Sequence, residues 1–374
     1  MPGMRKVKWF IWVIWLMAAI LIIRVLAIDS ITIQSPAGKP LLQPGDNILI
    51  SKIHFGPRLP FTGYRLAGLS RIKRGDLLAY NFPEGDSTVE GMGPVSYYSL
   101  KRKKESENDT VSRFLTRYLP LYRRAPEVSR CIGVPGDTVS VWRDTIDNGI
   151  NYADGRIYAD GRIYASLQAS HCVLPTAYDY LVEVRDRQLP MDFLNTLGLS
   201  PSELQILPGL GYLIPLRADQ ASRVRQRPEV YSLAAYFMEP GRGDYNIFPH
   251  DARYPWNRDN FGPVIVPGKG DSIRLTLLNL CLYRRVIEVY ENNRLEVRQD
   301  QIFINGVPAD AYAFKKDYYF VVGDNRHHSR DSRHWGFLPA DHIIGKPVLT
   351  WFSANRTAGQ HFRIYWNRIF NTLK

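Results

Sequence analysis

Residues Trp9 to Ile28, WFIWVIWLMAAILIIRVLAI, form an apolar run whose one charge, Arg24, stands near its far end. At ~1.5 Å of rise per helical residue such a run matches the hydrocarbon thickness of a bilayer, so a single N-terminal transmembrane helix is expected. Arg5, Lys6 and Lys8 precede it, and the positive-inside tendency keeps residues 1–8 in the cytoplasm with the bulk of the chain across the membrane. Arg24 can snorkel to the outer interface. A cleaved secretory signal, cut near Ala18-Ala19 or Ala27, is the alternative, disfavoured by the length of the run.

Behind this segment the texture is that of strands. The 374-residue chain is 45% hydrophobic, enough to bury one large core or two ordinary ones. Its short Val, Ile and Tyr runs, bounded by Gly, Pro, Asn and Asp, predict a mainly β fold. Asn47–Ile53 and Asp76–Phe82 read as strands, and Ser129–Trp142 reads as a hairpin turning at Pro135-Gly136-Asp137. Tyr152–Ala165 repeats a short unit and reads as a local hairpin, since solenoid repeats are longer. Residues 144–242 read as an inserted small α/β lobe, with strands at Tyr178–Arg185 and Gly211–Arg217. Its short helices are expected at Leu189–Gly198, at Ser200–Leu207 with Ser200 and Glu203 in capping-box order, and at Ala218–Pro228. Strands then resume, among them Arg284–Glu291 and Gln301–Ala309. The chain thus divides into a cytoplasmic N-terminus (1–8), an anchor (9–28), a β core in two parts (29–143 and 243–350) around the lobe (144–242), and a basic aromatic tail (351–374).

The formal charge of +12 is concentrated in Lys101–Arg124 and in the tail His361–Lys374, where cations alternate with large apolar side chains. For an anchored chain this favours anionic lipid headgroups as partner, and nucleic acid is not expected. Cys131, Cys172 and Cys281 include no CxxC pair, so no disulfide framework is expected, and their apolar neighbours favour buried thiols. His327, His328, Asp331 and His334 share one loop without a second ligand cluster, and no phosphate-binding GxxxxGK pattern occurs. Neither a metal nor a cofactor is expected.

Four segments carry a resemblance: GKPLLQPGDNILISK, RGDLLAYNFP (Arg74–Pro83), RCIGVPGD (Arg130–Asp137) and GDNRHHSRDSRHWGFLP (Gly323–Pro339). In this order, behind an apolar anchor, they resemble the boxes of bacterial type I signal peptidases, and the segments around them resemble the family's long form with an inserted lobe. The resemblance implies a signal-peptidase-like β fold and a site at the periplasmic surface of the bacterial inner membrane. There a serine nucleophile and a lysine base would cleave signal peptides from exported preproteins. The pair has a physical rationale, because a serine hydroxyl attacks only once a base takes its proton, and burial can lower a lysine into that role.

Carried over residue by residue, the nucleophile falls nine positions before Asp46 and three before Pro40, at Ala37, followed by Gly38. The base falls immediately before Arg130, at Ser129. Neither dyad member is present. Ser35 matches an oxyanion-hole hydroxyl, with Pro36 after it, and the nearest lysines, Lys39 and Lys52, are read as solvated or structural. The last box is nearly intact: Ser329 would orient the missing lysine, Asp331 and Arg333 would pair beside the site, and Gly323, Asp324, Asn325 and Arg326 would shape the loop below. The expectation is a pseudopeptidase that holds signal peptides or exported preproteins by strand addition, or scaffolds a membrane complex or an active paralogue. An active peptidase with a rearranged nucleophile, Ser35, is the rival reading.

Overall fold

The computed structural model describes residues 2–59, 64–89, 96–106, 116–145, 153–159, 162–165, 177–185, 189–199, 203–209, 211–355 and 363–373. It opens with a 25-residue helix, Pro2–Leu26, on which Trp12, Ile14, Trp15, Leu16 and Met17 are all exposed. Neighbouring positions cannot share one helical face, so the apolar surface runs around the helix. Among the described residues no helix is long and apolar enough to cross a membrane, the described side chains of this one being Trp9 and residues 11–26.

The main sheet has nine strands. Along its path lie Ile28–Thr32, Asp46–Ser51, Ile343–Asn355, Leu77–Asn81, Pro126–Gly133, Tyr318–Val322 and Leu338–Pro339, every neighbouring pair antiparallel. Strand periodicity explains its two faces. Leu77, Ala79 and Val128 pack with Ile48 and Ile50 on one side, while Leu78, Tyr80 and Cys131 pack with Trp335 and Val321 on the other. The mainly β expectation holds.

Three local expectations do not. Pro126–Gly133 and Thr138–Thr145 form no hairpin, because the first pairs with Leu77–Asn81 and Tyr318–Val322 and the second with Phe261–Ile265 and Ala153–Ala159. The turn at Pro135-Gly136-Asp137 is a corner between sheets. Gly136 takes a φ of +88°, its amide donates to Val266, and the Asp137 carboxylate accepts from the Val134 amide and is clamped by Arg74. Arg284–Glu291 is helical, with Leu280–Arg285 an α-helix and Val286–Tyr290 a π-turn. Its β-branched composition suggested a strand, but Val286, Ile287 and Tyr290 recur at helical spacing and bury one face. In Ser200–Leu207, Gln205–Leu207 is a strand paired with Gly211–Leu213 through a turn at Gly209, φ +77°, and residues 200–202 lie outside the described residues.

Residues 178–235 fold around a core of their own. The strands Gln205–Leu207, Gly211–Leu216, Tyr178–Val184 and Val230–Ala235 form one sheet. The helices Met191–Thr196 and Ala218–Arg225 contribute Leu194, Ala221 and Val224 to its cluster. Ala153–Ala159 and Arg162–Ala165 pair as the repeat suggested and extend the sheet of Thr138–Thr145, while the described members of the lobe's own cluster start at Tyr178. Cys131 is a buried free thiol and Cys281 a partly buried one, whereas Cys172 lies outside the described residues.

Candidate functional site

The loop after Ile28–Thr32 is pinned from several sides. Ile33 exchanges backbone hydrogen bonds with Asp46 and Gly45, and a short 3-10 turn, Pro36–Gly38, follows. Ser35 caps that turn, its Oγ accepting from the Ala37 amide at 3.2 Å. The hydroxyl proton of Ser35 therefore remains available to a ligand oxygen. From below, the Asn325 amide donates to the Ala37 carbonyl at 3.0 Å and its side-chain Nδ2 to the Pro36 carbonyl at 3.3 Å.

Glycine at 323 makes this approach possible. A Cβ there would lie 2.0 Å from Ser329 Oγ and 3.0 Å from the Ala37 carbonyl oxygen, so a side chain would push the two loops apart. The Gly323 amide donates to Asp331 Oδ2 at 2.9 Å. Asp331 in turn meets Arg333 through Nε at 2.9 Å and Nη2 at 2.8 Å, both residues buried. Burial opposes the Asp331 charge, and the Arg333 guanidinium outweighs it, holding the carboxyl well below the ordinary carboxylate range. A second buried pair, Arg130 with Asp324 at 3.0 and 2.8 Å, ties the strand bearing Ser129 to the same loop.

Ser35, Ala37, Gly38, Ser129 and Ser329 line one cavity of about 230 Å³. Arg326 does not line it; it is buried, and its amide donates to Ala177 at the start of the lobe. Lys39 and Lys52 do not line it either. Lys39 Nζ pairs with Glu203 of the lobe at 2.6 Å, and Lys52 Nζ pairs with Asp29 at 2.9 Å and caps the N-terminal helix at the Arg24 carbonyl. The described residues lining the cavity include no lysine, histidine or cysteine. His328 Nε2 faces Asp179 at 2.7 Å and His327 Nδ1 accepts from the Asp179 amide at 3.0 Å, latching the loop to the lobe, while His327 Nε2 faces Asp259 of the second core part at 2.8 Å. Among the described residues no group of three or more His, Cys, Asp or Glu side chains is arranged to hold a metal.

Two functional groups escaped the sequence reading. Ser129 Oγ lies 3.0 Å from the Tyr80 hydroxyl, which also reaches Glu127 Oε2 at 3.5 Å. Glu127 lines the same cavity, and burial pushes its carboxyl up to about 7, against the pull of Arg330 and the Tyr80 hydrogen bond. The signal was present, since Glu127 and Ser129 are alternate residues of one strand and must share a face. Among the described residues, the buried Ser329 Oγ has no hydrogen-bond partner.

The cavity thus brings the hydroxyls of Ser35, Ser129 and Ser329 and the Glu127 carboxyl to one place, with no lysine among its described lining residues. The family model of signal peptidase, peptidase S26, matches residues 6–180 and 308–352, leaving out most of the lobe. The Probable signal peptidase I-2 of Synechocystis sp. is 30% identical over 139 residues, covering 36% of this chain and 58% of that protein. Signal peptidase I of Buchnera aphidicola subsp. Baizongia pistaciae is 21% identical over 347 residues, covering 91% and 75%, and signal peptidase I of Leptolyngbya laminosa is 27% identical over 180 residues, covering 44% and 81%. With the boxes, the β core and the matched residues in agreement, the chain belongs to the signal peptidase I family, peptidase S26.

Proposed function

We propose that this protein is a pseudopeptidase, a membrane-anchored family member that binds an extended segment of an exported chain in its cleft without cleaving it. One observation carries the reading: Ala37 and Ser129 line a cavity that holds no lysine among its described residues. A methyl group cannot attack a carbonyl, and a neutral serine hydroxyl is no substitute for an amine as proton acceptor at neutral pH. The loops below remain braced by Asp331, Arg333 and Asn325, which supports a cleft still shaped for a peptide. Main-chain pairing needs no nucleophile. The apolar helix Pro2–Leu26 serves as the single-pass anchor in the bacterial inner membrane, with the β core on the periplasmic side. To the lobe we assign contact with a membrane complex or an active paralogue.

The test is incubation of the full-length protein in detergent micelles with a preprotein carrying a signal peptide. Crosslinking to the preprotein without release of the mature product is expected. Product formation abolished by Ser35→Ala would instead make the protein an active peptidase with a rearranged nucleophile.

A further inference from the structure

Resting on that reading of the cleft as a peptide site, we propose that it receives a primary ammonium group, presented by a lysine side chain of the bound segment. Glu127, Ser129 and Ser329 line one cavity of about 230 Å³, room for an unbranched amine-bearing side chain. Their chemistry is that of an ammonium site. An ammonium donates three hydrogen bonds and accepts none, so it needs acceptors on several sides.

Among the described residues, the buried Ser329 Oγ lacks a hydrogen-bond partner, and Ser129 supplies an Oγ beside the Tyr80 hydroxyl. Glu127 supplies a carboxylate whose hydrogen bond, from Tyr80 at 3.5 Å, is long. Buried polar atoms left this way are costly unless something satisfies them. The groups facing Glu127 are Tyr80 from the adjacent strand and, from the loop, Arg330 and Asp331. Arg330 also lines the cavity, but its guanidinium is engaged elsewhere, donating to Ser99 Oγ at 2.7 Å and stacking over Phe82, 4.7 Å from the ring centroid. A compact ammonium on a flexible stem suits the cavity better than a planar guanidinium.

Binding of short fluorescent alanine-rich peptides to the full-length protein in micelles, with a central lysine or a central norleucine, tests this. The lysine peptide is expected to bind about tenfold more tightly, as a charge-assisted contact gives. Glu127→Gln is expected to erase that preference, the two peptides then binding alike, and n-butylamine, unlike n-butanol, to compete with the lysine peptide. Lowering pH through about 7 should shrink the preference as the Glu127 carboxyl takes up a proton, lysine itself staying charged. Equal binding of both peptides, or a lysine preference that survives Glu127→Gln, overturns the proposal. Failure of both peptides to bind overturns the underlying peptide-cleft reading, and this one with it.

Discussion

Glu127 changes what a serine placed at 37 and a lysine placed at 129 can achieve. The Tyr80 hydroxyl touches both Ser129 Oγ and Glu127 Oε2, so a lysine introduced at 129 would stand beside a carboxylate. An opposite charge at that range favours the ammonium and raises its pKa, the reverse of what a general base needs. Ala37→Ser with Ser129→Lys should therefore give only trace cleavage of a signal-bearing preprotein, and adding Glu127→Leu should increase it at least ~10-fold. Initial rates on a gel check this, and equal rates with and without the third change would contradict it. At the same scale, Asp331→Asn leaves Arg333 buried without its partner and should cost ~3–5 kcal/mol in urea unfolding. Because the folded-state pKa of Asp331 is depressed, its stabilisation is complete above the unfolded value near ~4 and fades as pH falls below it. Glu127 has the opposite sign: its raised pKa means stability falls as pH rises from ~4.5 to about 7 and then levels off. Glu127→Gln should therefore raise the thermal midpoint at pH ~8 and have little effect at pH ~4.

Among the elements, what the sequence disclosed depended on how local the cause was. The strand Asp46–Ser51 alternates buried and half-buried residues, and Leu77–Asn81 is buried throughout, so both were legible as apolar patterns. The corner at Gly136 was not, because the same Pro-Gly-Asp chemistry serves a hairpin or a passage between sheets. Only the distant strand Tyr318–Val322, which occupies the edge of Pro126–Gly133, decides between them. The positions Ala37, Ser129 and Ser329 followed from the resemblance of the boxes to the family, whereas the latch between loop and lobe joins residues far apart in sequence. Asp179 heads a lobe strand and meets His328, while burial opposes and the hydrogen bonds from His327 and His328 hold its carboxyl below the ordinary range. Asp179→Asn is predicted to speed amide exchange across Tyr178–Val184 and leave Asp46–Ser51 unchanged, as an independently cored lobe would behave. Equal acceleration in both strands would argue against a latch confined to the lobe.

Across the whole molecule, the apolar helix leads into Ile28–Thr32, whose first residue faces Ser51, while the C-terminal tail reaches the other end of the same strand pair at Asp46. Trp351 Nε1 donates to Ser30 just beyond the helix, Arg368 is bound to Asp46, and Trp366 and Phe370 are exposed nearby in sequence. Aromatic and basic side chains of this kind suit a headgroup layer. Removal of residues 1–26 should leave weak, salt-sensitive binding to anionic vesicles in flotation assays, and Trp366→Ala with Phe370→Ala should weaken it further. Substrate turnover is the most direct measure of the central claim. When the full-length protein is incubated with a preprotein under conditions in which an active signal peptidase I completes processing, crosslinked preprotein and no mature product are expected. Appearance of correctly cut mature protein, lost on Ser35→Ala or Ser129→Ala, would contradict it.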